Sequence, residues 1–297
     1  NSKRELQRIQ SLSSPDFIEY QKKKRNEIYN YHLKHSASYK DFVIRRRGYF
    51  PTDWENIPVM KKKDVQIPIE KRLSDEFSTK SVRIHSTSGS TGQPFYFAKD
   101  KFCHSMTWAS ILDRYGMHDI VYGESKQARF FGIPLSFPSY QKERFKDILS
   151  NRYRFTVFDL SDEVLQGFVE KFEKTKFEYI NGYTSSIVLF CEYLIKQKII
   201  LRDICPSLKV VFPTSEMCSK SDREIIERAT GVKVANEYGA AELDVIAFEN
   251  KNFDWIINEE NLYVEILDDK NQPVKEGESG KVVITSLYNK AKIIVKK

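Results

Sequence analysis

Several features that mark secreted, membrane-spanning or zinc-binding proteins are absent from the sequence. Its four cysteines, Cys103, Cys191, Cys205 and Cys218, lie far apart and show no Cys-x-x-Cys spacing, so neither a zinc site nor a disulfide scaffold is expected. No apolar run reaches about 18 residues, and no signal-peptide pattern stands at the start. We therefore expect a cytoplasmic protein without a membrane span.

Nucleic-acid-binding motifs are also absent, although the chain is basic. Its formal net charge is +7, and lysine and arginine cluster at residues 22–25, 45–47 and 61–63. Such clusters can bind nucleic acid, but acidic and basic residues are otherwise interspersed and no recognised motif surrounds them. A solvated surface is the better interpretation, and we expect no nucleic-acid partner.

The order of the sequence patterns indicates an α/β protein. With 297 residues, of which 40% are hydrophobic, the chain can bury a substantial core. A helix is predicted to begin at Ser14 and Pro15, and strand-like and helix-like runs alternate from residue 81, which predicts parallel strands joined by helices. We assign residues 1–80 to a helical and loop-rich leader that packs on the core, 81–243 to a nucleotide- and acyl-binding α/β core, and 244–297 to a small, largely antiparallel β subdomain.

A loop rich in glycine and hydroxyl side chains is the most informative segment. Residues 83–95 read Arg-Ile-His-Ser-Thr-Ser-Gly-Ser-Thr-Gly-Gln-Pro-Phe, between two strand-like runs. Gly89 and Gly92 allow main-chain N–H groups to approach an anion, and neighbouring hydroxyls add donors. The common P-loop is absent, because Gln93 stands where its lysine follows the second glycine. By itself the run is equally consistent with an ordinary polar turn.

A second motif occupies residues 231–242 and reads Gly-Val-Lys-Val-Ala-Asn-Glu-Tyr-Gly-Ala-Ala-Glu. Tyr238 offers a flat face to a nucleobase, Gly239 permits close backbone approach, and Glu242 is a hard oxygen ligand for a magnesium ion that bridges phosphates. The alternative is a strand that ends in a turn, with Tyr238 in the core and Glu242 in solvent.

The two motifs, in this order, resemble the adenylate-forming (acyl-adenylate synthetase) superfamily, and specifically its phenylacetate-coenzyme A ligase branch with the capsule-biosynthesis relatives of that branch. The first family motif is Arg-x-His-x-Ser-Ser-Gly-Thr-Thr-Gly-Lys-Pro. The residues that agree with it are Arg83, His85, Ser88, Gly89, Thr91, Gly92 and Pro94. The second family motif, Tyr-Gly-x-Ser/Thr-Glu, is met by Tyr238, Gly239 and Glu242. Segments that begin at Asn181, Thr214 and Gly277 are also similar to family segments, so the resemblance covers most of the chain.

The sequence departs from the family pattern at three places. Gln93 replaces a lysine, and Ala241 replaces the hydroxyl residue that usually helps to hold the α-phosphate. Residues 288–297 read Tyr-Asn-Lys-Ala-Lys-Ile-Ile-Val-Lys-Lys, where the family continues into a Pro-Leu-Ile-Arg-Tyr-x-x-Gly-Asp stretch, a hinge and a mobile C-terminal domain. Because Asn1 is also not a methionine, we expect the chain to be the large N-terminal portion of a longer protein.

The resemblance implies a fold and a reaction. The fold is that of the large N-terminal domain of these enzymes, an α/β domain with parallel sheets flanked by helices plus a small β subdomain. In the reaction, a carboxylate attacks the α-phosphate of ATP to give an acyl-adenylate and pyrophosphate, and a thiol, usually that of coenzyme A, then displaces AMP. The implied cofactors are ATP and magnesium, with coenzyme A as co-substrate, and charge neutralisation dominates the first step.

The resemblance also implies site residues. Those expected to bind ATP or AMP are Ser88, Gly89, Ser90, Thr91, Gly92, Thr214, Ser215, Glu216, Asn236, Glu237, Tyr238, Gly239 and Ala240. Glu242 and Thr91 are the catalytic candidates, and Glu242 is the magnesium ligand. The acyl group is expected at strand ends, the usual ligand side of an open α/β sheet, beside Phe131, Gly132, Gly182 and Tyr183. Tyr183 is equally consistent with a core residue, and Glu216 with a carboxylate that starts the helix after Ser219.

Two alternatives to a coenzyme A ligase stay open. One is an adenylating enzyme that transfers to a hydroxyl, an amine or a carrier protein in polysaccharide or cofactor biosynthesis. The other is a non-catalytic nucleotide-binding relative, which Gln93 and Ala241 favour slightly, whereas the loop glycines, Tyr238 and Glu242 favour nucleotide binding. A small carboxylic acid is the expected partner, and a carrier protein and a second copy of the chain are further candidates. The sequence does not specify the acid.

Overall fold

The computed structural model describes residues 2–86, 95–132 and 137–297. The chain folds into two compact units. The first unit comprises Asn1–Ser110, Ala240–Ile246 and Asn258–Lys297, and the second comprises Ile111–Gly239 and Ala247–Ile257. The predicted boundaries of leader, core and β subdomain stay a prediction.

Helices and strands alternate through the middle of the chain. The helices are α1 (Ser2–Gln10), α2 (Ser14–His35), α3 (Ala37–Arg47), α4 (Lys101–Gly116), α5 (Phe137–Leu149), α6 (Asp162–Lys174), α7 (Thr184–Lys196), α8 (Leu201–Ile204) and α9 (Lys220–Thr230). The strands are β1 (Arg83–Ser86), β2 (Tyr96–Lys99), β3 (Gln127–Phe130), β4 (Arg152–Phe155), β5 (Tyr179–Tyr183), β6 (Val210–Thr214), β7 (Lys233–Val234), β8 (Glu237–Ala240), β9 (Asp244–Glu249), β10 (Trp255–Ile257), β11 (Leu262–Leu267) and β12 (Lys281–Ser286). In the described residues, no helix is both long and apolar enough to cross a lipid bilayer.

A parallel sheet forms the centre of the second unit. Its strand order is β4-β3-β5-β6-β7, and every neighbouring pair is parallel. Phe130 lies opposite Gly182, and Tyr183 lies opposite Thr214. Since parallel strands place their carboxyl ends at one edge of a sheet, the residues that follow β3, β5 and β6 share that edge. The predicted α/β class, with parallel strands joined by helices, is confirmed.

Phenylalanine packing stabilises this sheet on one face. The ring centroid of Phe155 on β4 lies 4.9 Å from that of Phe130 on β3 and 5.2 Å from that of Phe172 on α6. All three side chains are buried. Aromatic side chains remove large apolar areas from water, and ring pairs at these separations contribute further. A second aromatic group includes Tyr115 and Phe212, whose centroids lie 4.7 Å apart.

Antiparallel pairing dominates the first unit. Strands β1 and β2 form a hairpin, and β11 pairs with β12 from Leu262 opposite Ser286 to Leu267 opposite Lys281. The chain after β12 continues this pairing, because the backbone N–H groups of Ile284 and Lys297 each donate to the other's carbonyl oxygen. Residues 291–296 are buried as a result. In the second unit, β10 pairs antiparallel with residues 247–249 of β9, in a small sheet of strand order β10-β9-β8.

Local boundaries differ from the predictions at two places. The cap of helix α2 is Ser13, whose side chain accepts a hydrogen bond from the Asp16 backbone N–H, and Ser14 is already helical. Both serines suit a capping position before Pro15, so the sequence does not discriminate between them. Strand β4 ends at Phe155, whereas the aromatic run predicts a strand at 155–158. Phe155 belongs to the strand because its side chain packs on the buried face of the sheet, whereas Phe158 is exposed and lies outside the strand.

Candidate functional site

The loop of glycines and hydroxyls connects the two strands of the first unit's hairpin. Ser86, the last residue of β1, lies opposite Tyr96, the first residue of β2. The predicted phosphate-binding residues lie outside the described residues, and their role stays a prediction: Ser88, Gly89, Ser90, Thr91 and Gly92. Phe95, which follows the loop, is buried against Phe97 with a centroid distance of 6.5 Å.

The predicted residues of the second unit converge at one edge of its parallel sheet. Phe131 directly follows β3, Tyr183 ends β5, Thr214 ends β6, and Asn236 follows β7 after one residue. Parallel pairing places all four at the carboxyl ends of the strands. This edge is where ligands bind in open α/β sheets. The structure therefore brings together the segments predicted to bind the acyl group and those predicted to bind the nucleotide.

Aromatic rings surround the two glycines predicted to face the acyl group. The centroids of Phe131 and Tyr183 lie 4.6 Å apart. A Cβ atom added to Gly132 would lie 2.9 Å from the ring of Phe158, so that ring rests on the glycine backbone. Tyr183 is half-buried and Phe158 is exposed. This edge thus presents an aromatic surface that suits an apolar or aryl group.

The close packing of strands β3 and β5 explains why residue 182 is a glycine, which the motif alone does not explain. It is buried on β5 opposite Phe130 of β3. A Cβ atom at this position would lie 2.4 Å from the carbonyl oxygen of Phe130 and 2.5 Å from its Cβ. Only glycine allows the two strands to approach this closely.

Glu237 links the segments of β6 and β8 within the second unit. Side-chain hydrogen bonds from Thr214 and Tyr115 reach its carboxyl group. Burial is the dominant influence and raises the pKa of Glu237 to about 7, although both hydrogen bonds act in the opposite direction. Two residues predicted to bind the nucleotide, Thr214 and Glu237, are therefore in direct contact.

The titration of Glu237 predicts a pH-dependent stability. Because its folded-state pKa of about 7 exceeds the ordinary 4.5, the folded protein holds a proton that the unfolded chain releases. The stability gained from Glu237 is therefore complete below pH 4.5 and is lost as the pH rises through 7. We expect Glu237→Gln to raise the free energy of unfolding at pH 8 by up to about 3 kcal/mol and to change it little at pH 4.5.

Urea unfolding at pH 4.5 and 8 measures this effect. The control is Glu224→Gln, which removes an exposed carboxylate of α9 and should leave the pH dependence unchanged. An equal pH dependence of the Glu237→Gln protein and the unsubstituted protein would show that Glu237 is not the group concerned.

Glu216 has a role that differs from the predicted alternative. Its carboxylate accepts a hydrogen bond of 2.8 Å from the backbone N–H of Ser185 in the first turn of α7, and its carbonyl accepts one of 3.3 Å from the Thr184 hydroxyl. A carboxylate at a helix N-terminus is favourable because it binds free N–H groups and complements the helix dipole. The helix that it caps is α7, not α9. The preceding residue, Ser215, has a left-handed φ of 68°.

Tyr238 and Glu242 do not fit the alternative of a core tyrosine and a solvated carboxylate. Tyr238 is 49% exposed, so its ring is free of the core of the second unit. Glu242, in the first unit, is only 17% exposed and forms an ion pair of 2.6 Å with Lys297 Nζ. Burial acts to raise the pKa of Glu242, but the charge and hydrogen bond of Lys297 outweigh it, so the pKa is lowered.

Lys297 is not among the residues that the sequence predicts. Its contact with Glu242 depends on the backbone pairing of Lys297 with Ile284 of β12, and no local motif marks it. The ion pair occupies the carboxylate that is predicted to bind magnesium. Mg²⁺ is usually held by one or two carboxylates together with substrate phosphates, so Glu242 fits as one ligand when Lys297 releases it. No group of three or more His, Cys, Asp or Glu side chains suited to a metal occurs within residues 2–86, 95–132 and 137–297.

Ala240 and Gly239 complete the second motif on β8. Gly239 is exposed and Ala240 is half-buried. The backbone N–H of Leu243 donates to the carbonyl oxygen of Ala240 over 2.9 Å and closes the turn that carries Glu242. The motif therefore runs from a partly exposed strand into a tight turn.

Comparisons with known proteins show one curated relative and several solved structures with the same fold. No family model matches the sequence. Protein CapK of Staphylococcus aureus is 25% identical over 262 residues, which is 86% of this chain and 56% of CapK. A crystal structure of 2-hydroxyisobutyryl-CoA ligase in an open conformation, in complex with 2-HIB-AMP and CoA, matches 96% of this chain and 64% of that chain, with a TM-score of 0.74 and 17% identity. The chain therefore shares the fold of this ligase.

A second state of the same ligase supports the adenylate-forming fold. The thioesterification state in complex with 2-HIB-AMP and CoA gives a TM-score of 0.75 at 17% identity, over 96% of this chain and 63% of that chain. VinN gives a TM-score of 0.50 at 15% identity over 73% of this chain and 53% of VinN. At these identities the structural likeness establishes the fold. The chain spans about half the length of CapK and under two thirds of that of the ligase.

Proposed function

We propose that the protein activates a carboxylic acid with ATP to form an acyl-adenylate, and that the acyl group is then transferred to a thiol, with coenzyme A as the acceptor. The fold supports this proposal, because 2-hydroxyisobutyryl-CoA ligase, which shares it, binds an acyl-AMP and CoA. Its proposed partners are a small carboxylic acid and, as a further candidate, a carrier protein.

The observation that carries the proposal is the convergence at the carboxyl edge of the parallel sheet. Phe131 and Tyr183 form one aromatic surface, and Thr214 contacts Glu237 one residue before the exposed Tyr238. An acyl-adenylate has an acyl end and a purine end. Aromatic faces suit a flat base and an apolar acyl chain, while the polar Thr214 and Glu237 side chains can bond to the purine edge.

We assign binding of the ATP phosphates and of magnesium to the loop at residues 87–94 and to Glu242. In this proposal, main-chain N–H groups of the loop bind the pyrophosphate end, which stabilises the negative charge that develops during transfer. Glu242 would hold a magnesium ion, which would neutralise phosphate charge when bound. Lys297 would have to release Glu242 in that state, so its ion pair with Glu242 competes with metal binding.

The Lys297–Glu242 ion pair also supports a second candidate function. A relative that binds a nucleotide without activating an acid would tolerate a permanent cation on its metal ligand. Gln93 and Ala241 agree with this candidate, because each removes a side chain that the family uses near the phosphates. Transfer to a hydroxyl or amine in polysaccharide biosynthesis is a variant of the first candidate, with the same adenylation step.

ATP binding by Tyr238 variants tests the proposed nucleotide site. We expect Tyr238→Ala to weaken ATP binding roughly tenfold or more, because stacking of a base on an aromatic ring contributes about 1–3 kcal/mol. Tyr238→Phe should bind nearly as well as the unsubstituted protein. Tyr49→Ala is the control, because Tyr49 is similarly exposed, at 54%. Calorimetric titration with magnesium and ATP gives the dissociation constants, and equal values for Tyr238→Ala and Tyr49→Ala would count against the assignment.

A further inference from the structure

Three buried polar atoms of the first unit converge on one small cavity. Ser38, Arg72 and Lys292 line it. Within the described residues, Ser38 Oγ, Arg72 Nη1 and Lys292 Nζ have no hydrogen-bond partner. Lys292 is 1% exposed and Arg72 is 4% exposed. Buried polar groups are nearly always satisfied in native proteins, so three unsatisfied atoms around one cavity point to a ligand that they share.

The charges around this cavity indicate that the ligand is an anion. Lys292 Nζ lies 4.0 Å from the centroid of the Phe95 ring, and the guanidinium carbon of Arg72 lies 5.0 Å from it. Lys297 Nζ faces the same ring at 4.2 Å and is paired with Glu242. Three basic side chains therefore surround one ring, and Glu242 forms an ion pair with only one of them, Lys297. An uncompensated buried charge is costly, and a bound anion would remove that cost.

The remaining neighbouring charges do not supply the missing counterion. Asp64 also lines the cavity, but its oxygens accept hydrogen bonds from Arg46 Nη2 at 3.0 Å and from the Lys61 backbone N–H at 2.8 Å. Asp244 forms an ion pair with Lys99. Glu70 attracts Arg72 electrostatically but is exposed to solvent.

The size of the cavity selects the class of anion. Its volume is about 10 Å³, which is room for one water-sized body. A phosphate or sulfate ion is too large for this space. We propose that Ser38, Arg72 and Lys292 form a binding site for a monovalent anion of halide size, with chloride as the physiological ligand. The serine hydroxyl, the guanidinium and the ammonium group would donate hydrogen bonds to it.

Anion binding at this site is coupled to protonation of Lys292. Burial, followed by the charges of Lys297 and Arg72, lowers the pKa of Lys292 to about 6, whereas Glu242 acts to raise it and Lys99 to lower it. Above pH 6 the ammonium form is therefore the minor one without an anion. A bound anion stabilises that form, so binding takes up a proton. The affinity consequently falls as the pH rises above 6, by up to tenfold per pH unit.

Diffraction with bromide tests the site directly. Bromide resembles chloride and scatters anomalously. Crystals of the protein grown in bromide at pH 6 are expected to show one anomalous peak within hydrogen-bond distance of Arg72 Nη1 and Lys292 Nζ. Crystals of Lys292→Met should lack that peak. Electron density for a water molecule at this position, with no anomalous signal in saturating bromide, would overturn the proposal.

Stability measurements test the site in solution. At constant ionic strength, replacing gluconate by chloride should raise the unfolding temperature of the protein, and the rise should be larger at pH 6 than at pH 8. Lys292→Met should abolish the rise, while Lys290→Met, which removes an exposed lysine two residues earlier, should preserve it. An equal chloride effect in all three proteins would show a general salt effect and reject the site. If Lys292→Met does not fold, Ser38→Ala, which removes one donor, should reduce the rise.

Discussion

Replacing Gly182 with alanine is expected to destabilise the protein by about 3–5 kcal/mol. The new Cβ would lie 2.4 Å from the carbonyl oxygen of Phe130, far inside van der Waals contact. Neither atom belongs to a flexible side chain, so β3 and β5 must move apart. That movement breaks hydrogen bonds at the centre of the parallel sheet and disturbs the packing of Phe130 against Phe155. The free energy of unfolding, from urea titration followed by circular dichroism, measures the loss.

The matched control for this prediction is Gly167→Ala. Gly167 lies within helix α6, and a Cβ added there meets no atom within 4 Å. Alanine has the higher helix propensity, so this substitution should stabilise the protein by about 0.5–1 kcal/mol. The two substitutions add the same methyl group, but we expect opposite changes in the free energy of unfolding. If Gly182→Ala were as stable as the unsubstituted protein, the close approach of β3 to β5 would be wrong.

Removing the carboxylate of Glu242 is expected to weaken magnesium-dependent ATP binding at least roughly tenfold. Glutamine keeps the size of the side chain but offers a neutral oxygen. Lys297→Met should have the opposite effect and strengthen the same binding, because it removes the 2.6 Å ion pair that engages the carboxylate. Titrations of ATP with and without magnesium give the difference for each variant.

The double substitution separates metal binding from charge alone. If Lys297 acts through Glu242, Glu242→Gln combined with Lys297→Met should behave as Glu242→Gln does, since no carboxylate remains to be released. Lys275→Met is a suitable control, because Lys275 is an exposed lysine in a turn of the first unit. A loss of ATP binding in Lys297→Met would mean that Lys297 is a ligand of the nucleotide in its own right.

The spacing of apolar residues, together with the serines and glycines at helix ends, is sufficient to predict most of the helices and strands. The alternation of strand-like and helix-like runs predicts a helix near residues 162–174, where α6 is observed, and Ser219 and Gly231 predict the two ends of α9. Gly231 adopts a left-handed φ of 72° and ends the helix, as its position predicts. Strand bounds are less accurate, since the aromatic run around Phe155 does not reveal which residues face the core.

The candidate site could be predicted only where its residues belong to local motifs. Tyr238 and Glu242 stand in one motif, and its spacing makes both visible. The partners Lys297, Tyr115 and Ser185 lie far along the chain from the groups that they contact. Tertiary packing alone joins them to Glu242, Glu237 and Glu216, and none carries a local signal. The anion site has the same origin, because Ser38, Arg72 and Lys292 come from three distant segments.

Acid-dependent exchange of pyrophosphate into ATP tests the adenylate-forming function most directly. The assay needs magnesium, labelled pyrophosphate and a panel of aromatic, short-chain and long-chain acids, because the acid is not known. We expect exchange with at least one acid, none without an acid, and a fall on the order of a hundredfold in Glu242→Gln. No exchange with any acid, in a protein that also fails to bind ATP, would contradict the proposed function.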